Sequence, residues 1–328
     1  MNRFSAGGSF GITVFGESHG EMIGVVVDGV PAGIPLTEAD FEADLARRRS
    51  GAQGTTPRTE SDTPHLVSGI YNDHTTGAPL AIIFYNNNTR SSDYEGLQST
   101  PRPSHADRVA GVKFGGWNDP RGGGHFSGRL TLTLVAAGVV AKKIIGDKVK
   151  FDTRISQIGT ETDSTKFEAV IAVALADGDS VGGRVECSVS GVPTGIGEPF
   201  FDSVESVASH LLFSIPAVKG VSFGAGFDVV SRRGSENNDL IITTDGTTAT
   251  NNDGGINGGI SNGNPICVSV AFKPTASISK KQEFIHLDSG EREVKSIKGR
   301  HDACIALRGA VVVESVMAIT LASLGLKA

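Results

Sequence analysis

An internal repeat constrains this chain more than any other feature. Residues 16–34 read GESHGEMIGVVVDGVPAGI and residues 178–196 read GDSVGGRVECSVSGVPTGI; at a constant offset of 162, nine of the nineteen positions are identical. Background amino-acid usage would give about one or two such matches. Fainter echoes follow at offsets of 186 and 187, pairing Gly77-Ala78-Pro79 with Gly263-Asn264-Pro265 and Arg121-Gly122 with Arg308-Gly309. Repetition dictates architecture ahead of local propensity, and an offset near half of 328 residues predicts two similar halves, roughly 1–160 and 161–328. Length alone leaves one or two domains open.

The repeat ends in Gly-Val-Pro-x-Gly-Ile, a turn in which Pro fixes φ and glycines permit positive φ. Short strands precede it, at Val25–Val27 and Val185–Val189, and helices follow. Thr37 with Asp40 forms a capping-box pattern ahead of Phe41 and Leu45; Asp202 is placed to cap a helix through Val204, Val207, Ala208, Leu211 and Leu212. Further helices are predicted over 128–145 and 309–325, and strands at Leu80–Tyr85, Gly226–Val230, Leu240–Thr243 and Ile266–Phe272. Both element types alternate irregularly among glycine turns, which favours α+β with antiparallel sheets over a βαβ array.

Composition narrows the function classes. A formal charge of -6 gives no global basic field for nucleic acid or an anionic membrane, so any anionic ligand must be caught locally. Cys187, Cys267 and Cys304 are too few and too far apart for a disulfide framework or a zinc site. Neither a secretory leader nor a run of about 18 apolar residues is present, so a reducing cytoplasm is the expected location.

Within the repeat, His19 faces Val181: one copy carries an ionisable ring where the other tolerates an apolar residue. Imidazole is the usual proton-transfer group near neutral pH, although a loop histidine satisfied by backbone bonds would read the same. Arg102-Pro103-Ser104-His105-Ala106-Asp107 groups guanidinium, imidazole and carboxylate in six residues, and no helix-borne HExxH or i,i+4 histidine pair recommends a metal. Gly122-Gly123-Gly124 leads through His125, Phe126 and Ser127 toward a helix, so its N–H groups could meet phosphate or a flavin edge, or it could be a tight packing turn. It is neither a Rossmann nor a P-loop motif. Arg47-Arg48-Arg49 exceeds what capping a helix needs. With Arg102, Arg121, Arg129 and Arg300 it suggests a small polyanion held by bidentate guanidinium contacts, surface salt bridges being the plainer alternative.

Taken in order, Gly16-Glu17-Ser18-His19-Gly20, Asp28-Gly29-Val30-Pro31, Arg102-Pro103-x-His105-Ala106-Asp107, Arg121-Gly122-Gly123-Gly124, Ser190-Gly191-Val192-Pro193-x-Gly195, Gly226-Phe227-Asp228, Gly254-Gly255-Ile256-x-Gly258-Gly259-Ile260, Lys273-Pro274-Thr275 and Lys298-Gly299-Arg300-His301-Asp302 closely resemble the chorismate synthase family, from about residue 3 to 325. The resemblance implies one domain over 1–328 with a β-α-β sandwich fold, usually a homotetramer. It also implies a lyase that removes phosphate and a C6 hydrogen from 5-enolpyruvylshikimate 3-phosphate and needs reduced FMN. His19 would assist the departing phosphate, His105 would hold and protonate the reduced flavin, and Asp302 would serve the flavin N5 edge. Arg48, Arg102, Arg129 and Arg300 would grip the substrate anions. His125, Phe126, Ser127, Ala217, Gly258, Lys273, Pro274, Thr275, Ala276, Ser277 and Arg300 would hold the flavin. Arg48 is also the position implied for NADPH, and an external flavin reductase could supply reduced cofactor.

The chain departs from the family pattern at the site. After Arg49 the second arginine of the usual loop is missing, with Gly54 in its place, and Arg58 could compensate. If that departure matters, restoring arginine at Gly54 is expected to tighten substrate or flavin binding; unchanged binding would mean that the loop has rewired. The Arg-Ser-Ser after the triple glycine is His125-Phe126-Ser127, and Pro216 removes an amide donor before Ala217. Two rivals keep part of the reading: a phosphate-ester hydrolase using His19 or His105 without flavin, and a non-enzymatic repeat scaffold that binds anions.

Overall fold

The computed structural model describes residues 5–51, 53–56, 58, 60–89, 96–297, 299 and 301–328. Each half contributes a sheet in which valine-rich strands alternate inward and outward. Ile23, Val25 and Val27 lie buried in Met22–Asp28, as do Val185, Cys187 and Val189 in Gly183–Ser190. Period-two burial of this kind leaves one face of each sheet for a covering layer.

The two sheets share a topology. The first runs Ser5–Gly7, Gly11–Gly16, Met22–Asp28, Leu80–Tyr85, His65–Ser68; the second runs Lys150–Ile158, Gly183–Ser190, Ile266–Phe272, Val218–Phe223. All pairings are antiparallel. Without the short Ser5–Gly7 edge, the strand orders correspond one to one. The register agrees too: Val25 faces Ile82, and their counterparts at offsets 162 and 186, Cys187 and Val268, face each other. Lys150–Ile158 pairs in the second sheet, although it lies on the near side of residue 160.

Between the sheets lie Thr131–Ile145, packed on the first, and Ala306–Ser323, packed on the second and on its partner helix. This gives a sheet, helix, sheet sandwich, an α+β fold with antiparallel sheets. Ala306–Ser323 is long and apolar enough by composition to cross a membrane, but 83% of it is buried inside the protein. The two helices close on each other at Gly138, where a Cβ would sit 2.3 Å from the Ser315 Cβ. The charged residues around them are paired: Arg47 and Lys142 both reach the buried Glu314. Burial alone would raise the Glu314 carboxyl, but these bonds bring it down to about 2.

Several expected elements are in place: Leu80–Tyr85, Ile266–Phe272, and a helix over Thr131–Ile145 entered by a 3-10 turn at Gly128–Leu130. The Thr37 box forms, with Asp40 Oδ2 accepting from the Thr37 N–H at 2.7 Å. Other expectations are corrected. The helix Val204–Leu212 is capped by Ser203, whose hydroxyl accepts from Ser206 N at 3.0 Å, because Asp202 is taken up in a preceding 3-10 turn. Gly226–Ser231 is a 3-10 turn rather than a strand, entered through Gly224 and Gly226 at positive φ. Leu240–Thr243 makes only an isolated bridge, Ile241 with Thr248, and its three apolar side chains stand exposed. The last helix starts at Ala306, ahead of the expected 309.

The Gly138–Ser315 approach leaves no space for a branched side chain. Gly138→Val should lower unfolding free energy by about 1–3 kcal/mol through overpacking, read as a lower urea midpoint; an unchanged midpoint would contradict this packing.

Candidate active site

Where the two halves meet, loops from both enclose a cavity of about 860 Å³, at the upper end of small-molecule sites. Its described lining includes eight lysines and arginines, namely Arg48, Arg49, Arg58, Arg102, Arg129, Lys219, Lys273 and Arg308, against three carboxylates, Glu60, Asp62 and Asp302. An acidic protein thus carries a locally cationic pouch suited to a multiply charged anion.

The three consecutive arginines go three ways. Arg47 turns to Glu314, Arg49 to Glu42, and Arg48 into the pouch. Arg48 is only 1% exposed. Its Nε donates to Thr131 Oγ1 at 3.0 Å and Nη2 to the carbonyls of Gly128 and Arg129, while Nη1 is buried with no hydrogen-bond partner among the described residues. The nearest carboxylate to Nη1, Asp62, is 3.6 Å away. Burial, aided by the charge of Arg308, pushes the Arg48 pKa down to about 9. The guanidinium stays charged at neutral pH, so Arg48 is a cation with a donor to spare. Arg129 is satisfied by Asp62 Oδ1 at 2.9 Å and Asn86 Oδ1 at 2.5 Å, so it shapes the pouch through its field.

Both expected histidines line the cavity, and the triple glycine explains how they fit. A Cβ on Gly122 would sit 2.3 Å from the His19 ring, and one on Gly123 would sit 3.4 Å from His105 Cε1. All three glycines have positive φ. The loop is therefore a cradle that lets backbone lie against two imidazoles. His105 Nδ1 lies 2.6 Å from Asp107 Oδ1, which also accepts from Arg102. Burial alone would raise the Asp107 carboxyl, but hydrogen bonds from Arg102 and His105 hold it well below the usual carboxylate range. An ionised carboxylate can only accept, so the 2.6 Å contact favours a proton on Nδ1, against the 2.9 Å approach of the donor-only Arg102 Nη2 to the same nitrogen, and Nε2 is then left toward Gly123. Behind the loop, burial raises the Glu17 carboxyl, whose Oε2 has no hydrogen-bond partner among the described residues.

Arg102 also donates to Ser277 Oγ at 3.1 Å, tying the first-half loop to the second-half wall. His125, Phe126, Ser127, Ala217, Lys273, Thr275, Ala276, Ser277 and Asp302 all line the pouch. His125 holds the Gly16 carbonyl through Nδ1 at 2.9 Å, and Ala217 adopts φ +74. Two expected residues do not line it. Gly258 is exposed at the tip of the hairpin Ile256–Asn257 to Ile260–Ser261, and Pro274 points outward beside Gly182. Arg300 lies outside the described residues. Val181, the repeat partner of His19, packs against the apolar core.

Residues that sequence reasoning did not propose for the site complete the wall: Asp62, Glu60, Thr56 and Arg308, with Glu60 pairing at 2.6 Å to Arg58, the residue named as able to compensate. Arg308 stood in the repeat echo, whereas Asp62 gave no signal at all. The Gly54 expectation is overturned. Gly54 has φ +88, a Cβ there would lie 2.4 Å from Ile171 Cγ2, and its carbonyl accepts from Ala303 and Cys304. An arginine at 54 would be driven into Ile171, away from the pouch. Arg58 lines the pouch instead and reaches Ser18 Oγ at 3.3 Å, beside His19.

The sequence model of the family described as chorismate synthase matches residues 10–326. A chorismate synthase of Chitinophaga pinensis is 57% identical over 322 residues, covering 98% of this chain and 96% of the relative. One from Dehalococcoides mccartyi is 44% identical, covering 99% and 97%. A crystal structure of chorismate synthase matches with a TM-score of 0.71 at 25% identity, over 98% of this chain and 92% of that one.

Gly54→Arg should therefore lower the thermal unfolding midpoint and leave ligand affinity no tighter, since φ > 0 and Ile171 both oppose it. Calorimetric binding tighter than wild type would show that the loop can reopen toward the pouch.

Proposed function

The chain belongs to the chorismate synthase family and is a lyase of the shikimate pathway; on that premise we propose that the pouch eliminates phosphate from 5-enolpyruvylshikimate 3-phosphate to give chorismate, with reduced FMN bound beside the substrate. The observation that carries this reading is Arg48: a fully buried guanidinium whose Nη1 has an ion-pair neighbour, Asp62, at 3.6 Å but no hydrogen-bond partner among the described residues. A buried donor left unmade is costly, and an anionic oxygen of the substrate would complete it. Arg102 and Arg129 would add field from either side, and Arg300 would join them from outside the described residues.

The donor set also fits a flavin. Phe126, Ala217 and Ala276 offer apolar wall, while Thr275, Ser277, Ser127 and Lys273 offer polar contacts around it; the N–H groups at His125 would contribute whatever the side chain. When bound, reduced flavin supplies electron density that stabilises an electron-poor ring as phosphate leaves. The chain's own share is positioning and protons. His19, pressed against Gly122, would hydrogen-bond the departing phosphate. His105, with Nδ1–H fixed on Asp107, would offer Nε2 to the cofactor. Asp302 would stand at the N5 edge. Arg48 is the implied NADPH contact as well, and because it faces only the pouch, NADPH would have to enter there; an external flavin reductase is the other source of reduced cofactor.

A homotetramer fits the exposed apolar side chains Phe227, Val230, Leu240, Ile241 and Ile242, which are more than a monomer normally leaves to water. The cytoplasm would supply the reducing conditions that the free thiols suit.

Anaerobic incubation with photoreduced FMN and 5-enolpyruvylshikimate 3-phosphate should yield chorismate and phosphate in equal amounts. Phosphate release without reductant would favour a hydrolase instead. His19→Ala should cut turnover by about 10²- to 10⁴-fold, the range for a lost proton-transfer group, and wild-type rates would remove His19 from the chemistry. Asp302→Asn should lower kcat more than it raises KM; a change confined to KM would move Asp302 away from the reacting edge.

A further inference from the structure

We infer that Arg308 is the positioning residue for Asp302, clamping its carboxylate toward the pouch together with the backbone of Thr56. The inference rests on the proposed role of Asp302. Arg308 is the third residue of the helix Ala306–Ser323, so its backbone is fixed by a largely buried helix. Its Nη1 lies 3.2 Å from Asp302 Oδ2 and 3.4 Å from Oδ1, and its Nε donates to the Arg48 carbonyl at 2.9 Å. One guanidinium thus spans the carboxylate and the segment that carries the buried substrate cation.

The other contacts to Asp302 point the same way. Thr56 N donates to Oδ1 at 2.8 Å, Thr275 Oγ1 donates to the Asp302 carbonyl at 2.6 Å, and Ala303 N donates to the Gly54 carbonyl at 2.8 Å. The loop that lacks the family's second arginine therefore provides backbone groups that lock the Asp302 segment. Arg308 is the one charged side chain in this clamp among the described residues.

Both side chains are only about one-fifth exposed, so the pair is largely withdrawn from water and the carboxylate would be left poorly compensated without it. Placing Arg308 there works against Arg48, whose pKa is lowered chiefly by burial and further by the neighbouring Arg308 charge. A repulsion kept at a ligand site, beside a carboxylate that offsets it, is expected where that carboxylate's orientation matters. The contrast with Arg121, its partner in the repeat echo, agrees: Arg121 is half exposed, pairs with Asp119 and does not line the pouch.

The test is steady-state kinetics on Arg308→Ala, Arg308→Lys, Asp302→Asn and the Arg308→Ala/Asp302→Asn double variant, in the full chain with reduced FMN. Misplacing a reacting group by about 1 Å can lower rate about 10²-fold, so Arg308→Ala should lose kcat on that order with KM unchanged. Arg308→Lys should recover most of it, since an ammonium can still hold the carboxylate. The double variant should be no slower than Asp302→Asn alone. A raised KM with intact kcat in Arg308→Ala would make Arg308 a direct anion contact and overturn the inference, as would multiplicative losses in the double variant. If Arg308→Ala does not fold, Arg308→Lys with wild-type KM and a kcat as low as Asp302→Asn would equally overturn it. Wild-type kcat in Asp302→Asn would instead remove the reading beneath it, an outcome distinguishable from the others.

Discussion

The pouch depends on one carboxylate, Asp62, standing between two buried guanidinium groups. Arg129 meets it at 2.9 Å and Arg48 at 3.6 Å. Burying a single charge without compensation costs several kcal/mol, and burying two like charges side by side costs more. Asp62 offsets the pair without cancelling it, so the floor keeps a net positive charge in a place water barely reaches. It does so at φ +50, a conformation that Asp tolerates better than most residues. The remaining donors are absorbed by Thr131, Asn86 and nearby carbonyls until, among the described residues, one is left over.

That residue of unspent hydrogen-bonding capacity separates this site from an ordinary buried ion pair. A surface of net negative charge gives no long-range attraction for a polyanion; recognition has to be short-ranged and cationic within the pouch. The histidines follow the same logic. Backbone lies flat against both, which only residues lacking a side chain permit, and His105 is further held by Asp107 at the start of the helix Asp107–Lys113, a carboxylate that Arg102 keeps ionised.

Much of the fold could be read from the repeat because register obeys it: the offsets of 162 and 186 carry the Val25–Ile82 pair onto Cys187–Val268. Readings failed where glycine changed the meaning of an apolar run. Val229 and Val230 look like strand residues, yet Gly224 and Gly226 turn the chain before pairing can start. At the site, motif clusters brought His19, His105, Arg48, Arg102, Arg129 and Asp302 to one cavity. Asp62 and Thr56 were invisible, since a lone aspartate and a backbone N–H carry no pattern, and Gly54 was misjudged because its neighbour Ile171 is distant in sequence. Gly258 stands apart: its glycine motif forms a surface hairpin outside the pouch.

The contact of Gly138 with Ser315 has a mechanical side. His19 and His105 ride on the first sheet's loops, whereas Asp302 and Thr275 ride on the second's, so the gap across the pouch is set by how the sheets are pitched about the two central helices. A glycine lying directly against Ser315 leaves little play there. The crossing works as an axle pin, and the spacing between the imidazoles and the Asp302 carboxylate inherits its stiffness from a point deep in the core.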